Sequence, residues 1–218
     1  MVSRAEENYL KALFHLTSEI MERTEAGTNE LAEVLAVTPA TANSMLKRLK
    51  KKDLVSYEKY GKITLTEKGR GLAVEIVRKH RLWETFLYEK LNFTWDEVHE
   101  VAEQLEHIKS AKLTEQLEKF LNYPEFDPHG DPIPNEKGEI KFVKRKTLSE
   151  IEVGKTCKIV AVKDNSSSFL QYAVKLDLGL NSKIKIISRQ EFDDSVEIEV
   201  NGVRSSISKK VAQNLFVV

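Results

Sequence analysis

Four of the five prolines in this 218-residue chain, Pro124, Pro128, Pro132 and Pro134, fall between Tyr123 and Asn135. A locked φ and a missing backbone N–H bar helix and interior strand from such a stretch, so it divides the chain. Before it, apolar residues recur at helical spacing, and from about Thr147 onward they alternate in the period of strands. The expected fold class is mainly α with a small β domain, in three parts: residues 1–71, residues 72–146 ending in the proline-rich linker, and residues 147–218.

The first part carries sharp start and stop signals. Ser3 and Glu6 make a capping box ahead of Leu10, Leu13, Phe14, Ile20 and Met21, which predicts a helix from about Arg4 to Met21. A short helix from about Asn29 to Leu35 follows. Thr38 as N-cap and Pro39 at the first helical position open another that reaches Lys51 or Lys52. Two short helices about three residues apart describe a helix-turn-helix. Leu54 to Thr66 then alternates as a hairpin wing with Gly61 at its tip. Helical spacing resumes near Glu67 and runs to Leu91. Thr94 and Glu97 form a second capping box that places His99 to His107 on the next helix, and Ser110 or Thr114 opens a last one toward Leu121. Beyond the prolines, strands are expected at 158–162, 183–187 and 196–200, then Asn201-Gly202 as a type I′ turn, 203–207 and 216–218, a compact SH3-like β-barrel.

Equal numbers of basic and acidic residues, 34 each, hide a strong asymmetry. Thr38 to Arg70 holds nine basic against three acidic residues, and Glu84 to Asp131 four basic against twelve acidic. Such a chain pairs a polyanion-facing segment with a cation-facing one. In a winged helix the start of the second short helix enters the major groove, so Pro39, Ala40, Thr41, Asn43 and Ser44 are expected at bases, and Lys47, Arg48, Lys59, Tyr60 and Lys62 at phosphates. One such module buries too little DNA for specific binding, which implies a homodimer on a two-fold-related duplex site. The apolar helices between Leu72 and Leu121 are the expected dimer surface.

In the acidic half, His99, Glu103, Glu106 and His107 lie three and four residues apart, so their donors converge on one helical face, and His80 and Glu84 repeat the four-residue offset on the preceding helix. That is metal-site spacing without a thiolate. The lone cysteine, Cys157, sits in an apolar alternating stretch and is expected to be buried. Neither the paired Glu-x-x-His elements of a di-metal oxidase nor the His-Glu-x-x-His of a zinc peptidase is present, so no enzyme and no small-molecule substrate are expected. No run approaches a membrane span and no secretory signal opens the chain, which predicts a cytoplasmic protein away from membranes.

Glu7-Asn8-Tyr9-Leu10, Arg78-Lys79-His80-Arg81-Leu82-x-Glu84, Val98-His99-Glu100-x-Ala102-Glu103-x-Leu105-Glu106-His107 and Pro128-His129-Gly130-x-Pro132-Ile133-Pro134 together resemble the diphtheria toxin repressor family of metal-dependent regulators. The likeness spans essentially the whole chain and is nearest to the manganese-responsive members whose C-terminal domain is related to the ferrous-iron transport accessory fold. It implies a winged-helix DNA-binding domain, a helical metal-binding and dimerisation domain and an SH3-like domain, acting as a homodimeric repressor of metal-homeostasis genes on a palindromic operator. It also implies a primary metal site at Asn8, Glu103, Glu106 and His107, and a second at His80, Glu84, His99, Asp127 and His129 with Asp164 as an added carboxylate. Glu103 stands where iron-responsive members have cysteine, which favours Mn²⁺ over Fe²⁺. Asn8 stands where manganese-type members have aspartate, and Lys11 where some have a second glutamate, which keeps an Fe²⁺-dependent repressor open. A metal-independent winged-helix protein is the remaining alternative.

Overall fold

A computed structural model describes residues 2–17, 23–57, 62–141 and 145–218. Helix α1 (Arg4–Leu16) is capped by Ser3, and Ser3 and Glu6 form the reciprocal capping box. Thr17 closes it, its backbone N–H donating to the Leu13 carbonyl at 3.0 Å. The expected continuation through Ile20 and Met21 lies outside the described residues. Helices α2 (Thr28–Val34) and α3 (Pro39–Lys51) follow, with the Thr38 side chain accepting from the Thr41 N–H at the start of α3. The wing consists of β1 (Val55–Tyr57) and β2 (Ile63–Leu65), antiparallel with Val55 opposite Leu65. Its expected tip, with Lys59, Tyr60 and Gly61, is outside the described residues. Helix α4 (Glu67–Leu91) then runs 25 residues, followed by α5 (Val98–Leu105) and α6 (Ala111–Phe120). Because α5 ends at Leu105, Glu106 and His107 sit in the turn after it, not on the helix as spacing implied.

The chain divides into two compact units, Met1–His80 with Glu103–Thr114 and Pro134–Ile140, and Arg81–Ala102 with Glu115–Ile133 and Lys141–Val218. In the first, Leu10 and Leu13 of α1, Leu31 of α2, Leu46 and Leu49 of α3, Ile63 of β2 and Val77 of α4 close one core. Each of the five leucines buries nearly all of its side chain, worth about 1.5–3 kcal/mol apiece. The core fixes the pitch of α3 and leaves Pro39, Ala40, Thr41, Ser44, Lys47 and Arg48 exposed.

The second unit holds a six-stranded sheet in the order β3 (Lys146–Thr147), β8 (Leu215–Val217), β4 (Thr156–Val162), β5 (Lys183–Arg189), β6 (Val196–Val200) and β7 (Val203–Ile207). Asn201 and Gly202 both take positive φ, 49° and 80°, as a type I′ turn demands, and set Val200 opposite Val203. Two helices that alternation did not announce lie among these strands. They are α7 (Ser167–Lys175), capped by Ser166 and burying Phe169, Leu170 and Ala173, and α8 (Lys209–Asn214), capped by Ser208. The proline-rich loop packs in this unit too. Gly130 (φ +84°) lies so near the sheet that an added Cβ would come within 2.1 Å of the Val160 carbonyl oxygen, and the Val162 N–H donates to the His129 carbonyl at 3.0 Å. Leu82, Leu117, Leu121 and Ile133 form a smaller core of the same unit.

Candidate metal centres

In the first unit, α1, the end of α5 and the turn after it bring Glu7, Lys11, Glu103, Glu106 and His107 together. His107 Nδ1 lies 2.6 Å from Glu7 Oε2, and a carboxylate only accepts there, so Nδ1 carries a proton and Nε2 is the nitrogen left to face the centre. Nε2 faces Glu106 Oε1 at 3.7 Å. Glu106 is fully buried, and this Oε1 has no hydrogen-bond partner. Its other oxygen is engaged: Oε2 accepts from Lys11 Nζ at 2.8 Å and lies 2.5 Å from His80 Nδ1. Burial pushes the Glu106 carboxyl up, but His80 and Lys11 outweigh it and hold the group below the ordinary range. Glu103, about half exposed at its side chain, accepts from Lys11 at 3.3 Å. Glu7 is buried while its neighbour Asn8 is exposed on α1. Glu7 thus meets His107, a contact that spacing along the chain did not reveal.

The second cluster belongs to the other unit. Glu84, Asp127 and His129 are all buried, and one ligand atom from each lies within 4.8 Å of the others. His129 Nε2 lies 2.9 Å from the Trp95 carbonyl oxygen, which fixes its proton there, and the indole of Trp95 stacks on the imidazole. His129 Nδ1 faces Glu84 Oε2 at 3.6 Å, an ion-pair distance too long for a hydrogen bond, and has no hydrogen-bond partner. Glu84 Oε1 lies 3.1 Å from His99 Nδ1. Asp127 accepts from the backbone N–H groups of His129 and Asp131 at 2.8 and 2.9 Å, which tightens the loop around it. Arg81 lies 3.5 Å from Asp127 and 3.3 Å from Asp131. Burial, then the nearby charges of Asp131 and Glu84, push the Asp127 carboxyl up to about 7. Burial pulls His129 down, but the carboxylates of Glu84 and Asp127 outweigh it and raise the imidazole to about 9. His80 precedes Glu84 by one turn of α4. Asp164 stands apart from these converging donors among the described residues, accepting from the Ser166 N–H at 2.9 Å ahead of α7.

Both centres suit a divalent ion. Coordination bonds of about 2.0–2.6 Å place neighbouring ligand atoms roughly 3–4 Å apart, and each centre offers a nitrogen–oxygen pair at 3.6–3.7 Å in which one buried atom lacks any hydrogen bond. In each, the histidine's second nitrogen is anchored, the outer arrangement that orients metal-binding imidazoles. All donors are oxygen or nitrogen; Cys157 lies buried on β4 with its thiol 3.6 Å from the Ile184 carbonyl.

On α3, Thr41, Ser44, Lys47 and Arg48 face solvent, whereas Asn43 is half-buried and committed, donating to the Pro39 carbonyl at 2.9 Å and accepting from the Tyr57 hydroxyl. Lys62 is exposed and pairs with Glu25 at 2.5 Å. The base of α3 is tied to α1 by Glu6, fully buried, whose Oε2 accepts from Lys52 at 2.8 Å and whose Oε1 lies 3.7 Å from Arg48. Adjacent residues of α1 therefore serve two masters, Glu6 the reading helix and Glu7 the metal-centre histidine. Among the described residues no helix is long and apolar enough to cross a membrane.

Comparison with known proteins bears on all three parts. Residues 1–63 match the iron dependent repressor, N-terminal DNA binding domain, residues 66–135 the iron dependent repressor, metal binding and dimerisation domain, and residues 146–218 the FeoA domain. The iron-dependent repressor IdeR of Mycobacterium tuberculosis is 35% identical over 128 residues, 59% of this chain and 54% of its own length, so the chain spans about half of such curated relatives. The regulator MntR of Bacillus velezensis is 29% identical over 147 residues, 67% of this chain and 96% of its own length. A solved manganese-dependent transcriptional repressor in complex with manganese superimposes with a TM-score of 0.84 at 32% identity, covering 98% of this chain and 99% of that one.

Proposed function

Since the chain belongs to the diphtheria toxin repressor family of metal-dependent transcriptional regulators, we propose that it is a homodimeric repressor whose grip on operator DNA is switched on by a divalent ion, with Mn²⁺ favoured. The observation that carries this reading is the pairing of His107 Nε2 with the unpartnered Glu106 Oε1 in the same compact unit as the exposed face of α3. Glu106 and His107, with Glu103, would hold the ion at one centre; Glu84, Asp127 and His129, with His99, at the other. When bound, the ion would supply a dense positive charge for these oxygen and nitrogen donors to share. Donors without sulfur suit Mn²⁺ better than softer ions. IdeR is named as iron-dependent, and Fe²⁺ is the second candidate.

The chain's own residues supply the link to DNA. Glu7 holds the His107 imidazole, so anything that fixes His107 also fixes the rotation of α1. One position earlier, Glu6 grips Lys52 and neighbours Arg48 at the end of α3. Drawing His107 toward Glu106 therefore biases the placement of Lys47, Arg48 and the exposed start of α3, and the population shifts toward a DNA-competent geometry. For a dimer face, α4, α6 and the segment just after α6 expose Leu91, Phe120 and Tyr123, each half or more accessible. Regulation of metal-homeostasis genes from the cytoplasm, without catalysis, completes the reading.

The test is a duplex selected from a random library against the chain in Mn²⁺, then titrated by fluorescence anisotropy with Mn²⁺ and with chelator. An affinity gain of about tenfold or more with Mn²⁺ is expected, since coupling of 1–3 kcal/mol is typical. Equal affinity in both conditions would identify a metal-independent DNA-binding protein.

A further inference from the structure

Lys11 is only 8% exposed, yet its ammonium sits between two carboxylates, 2.8 Å from Glu106 Oε2 and 3.3 Å from Glu103 Oε1. It follows Glu7 by four residues on α1, so both project from the same face of that helix. Glu106 divides its oxygens: Oε2 serves Lys11 and His80, while Oε1, without a hydrogen bond, faces His107 Nε2. The Oε2 side, flanked by Glu103, is a second cation position, and an amino group of this chain fills it. We propose that Lys11 is the built-in second cation of this centre, restricting it to one divalent ion where a carboxylate in its place would admit two. The inference rests on the reading that Glu106 and His107 bind a divalent ion.

Charge balance supports it. Glu7, Glu103 and Glu106 bring three negative charges, Lys11 and Lys109 two positive ones, Lys109 lying 3.4 Å from Glu7 Oε1. One divalent ion leaves the centre mildly positive, and a second would gather several uncompensated positive charges in a buried space, which low polarisability penalises. Lys11→Glu changes the balance by two negative charges and adds an oxygen donor where the ammonium stood. In the absence of metal, Lys11 Nζ also holds Glu106 Oε2 at 2.8 Å, so that carboxylate is positioned in advance.

The experiment counts ions. The full chain, Lys11→Glu and Lys11→Met are dialysed against Mn²⁺ and the bound metal per chain is measured, with free Mn²⁺ followed by electron paramagnetic resonance and folding by circular dichroism. Lys11→Glu is expected to bind one more Mn²⁺ per chain than the unsubstituted protein. Lys11→Met is expected to keep the count and bind on the order of tenfold more tightly, since it removes a like charge a few ångströms from the ion. A folded Lys11→Glu chain with the original count overturns the proposal. Should Lys11→Glu not fold, Lys11→Met decides: tighter binding supports the proposal, and unchanged or weaker binding, as a merely structural lysine requires, overturns it. His107→Ala separates the two levels of inference. If it costs no bound Mn²⁺, the centre itself is misread; if it costs one while Lys11→Glu gains none, the role of Lys11 alone fails.

Discussion

Glu7→Gln is the most informative single change, because it leaves shape nearly intact and removes only the charge behind His107. Glu7 Oε2 lies 2.6 Å from His107 Nδ1 and Oε1 lies 3.4 Å from Lys109 Nζ, at a residue 7% exposed. An amide accepts the Nδ1–H less strongly than a carboxylate, and it can also turn its NH₂ toward the ring and favour the wrong tautomer. Loss of such an outer partner costs roughly 10–100-fold in metal affinity, or about 1.4–2.7 kcal/mol. The fold should lose less, about 1 kcal/mol, since one charged hydrogen bond becomes a neutral one without opening a cavity. Asn8→Ala, on an exposed amide of the same helix, should shift affinity by about twofold at most, the usual size of a surface change. Calorimetric Mn²⁺ titration of the three proteins, each with a thermal melt in chelator, gives both quantities. Glu7→Gln within about threefold of the parent, or Asn8→Ala costing more than Glu7→Gln, would refute the assignment of Glu7 as the residue through which α1 senses the centre.

Glu6→Gln should keep Mn²⁺ affinity within about twofold but lower Mn²⁺-activated DNA affinity about tenfold, because it weakens the hold on Lys52 and Arg48 without touching His107; paired calorimetry and anisotropy check the split. Gly130→Ala forces a Cβ to 2.1 Å from the Val160 carbonyl at φ +84°, so it should destabilise the second unit by about 3–5 kcal/mol in denaturant titration and remove one bound Mn²⁺ per chain as the loop bearing Asp127 and His129 shifts. In chelator, the pH dependence follows from two raised groups, His129 from 6.5 to about 9 and Asp127 from 3.8 to about 7. Each is more readily protonated folded than unfolded, so its contribution is full below the unfolded value and is lost as pH rises through the folded one. Metal-free melting temperature should thus fall from about pH 4 to pH 9 through these groups, while Mn²⁺ affinity rises over the same span as the protons it displaces become easier to remove. Melts at several pH values with chelator and with Mn²⁺ check both signs, and a metal-free protein that gains stability across that range through His129 contradicts them.

Much of the architecture was legible because its signals are local. The Ser3–Glu6 box, Thr38 with Pro39, and Asn201-Gly202 each act within four residues and each formed as spacing implied. The barrel region was only half legible. Phe169, Leu170 and Ala173 give α7 too short an apolar face to stand out among alternating strands, and Ser166 as its cap was the one available cue. The centre shows a sharper limit. Periodicity places Glu103, Glu106 and His107 near one another, but Glu7 and His107 are 100 residues apart, and neighbours on a helix point about 100° away from each other. Whether Glu7 or Asn8 faces the centre therefore depends on how α1 rolls against Leu31, Leu46 and Leu49, a property of the packed core and not of the motif. The same holds for Lys11. On paper it is one basic residue on an amphipathic helix, and only burial against Glu106 makes it a resident cation. Residue types thus announce that a cation belongs here, while the roll of one helix decides which side chains serve it, and so the charge substitutions at Glu6, Glu7 and Lys11 test the packing as directly as they test the chemistry.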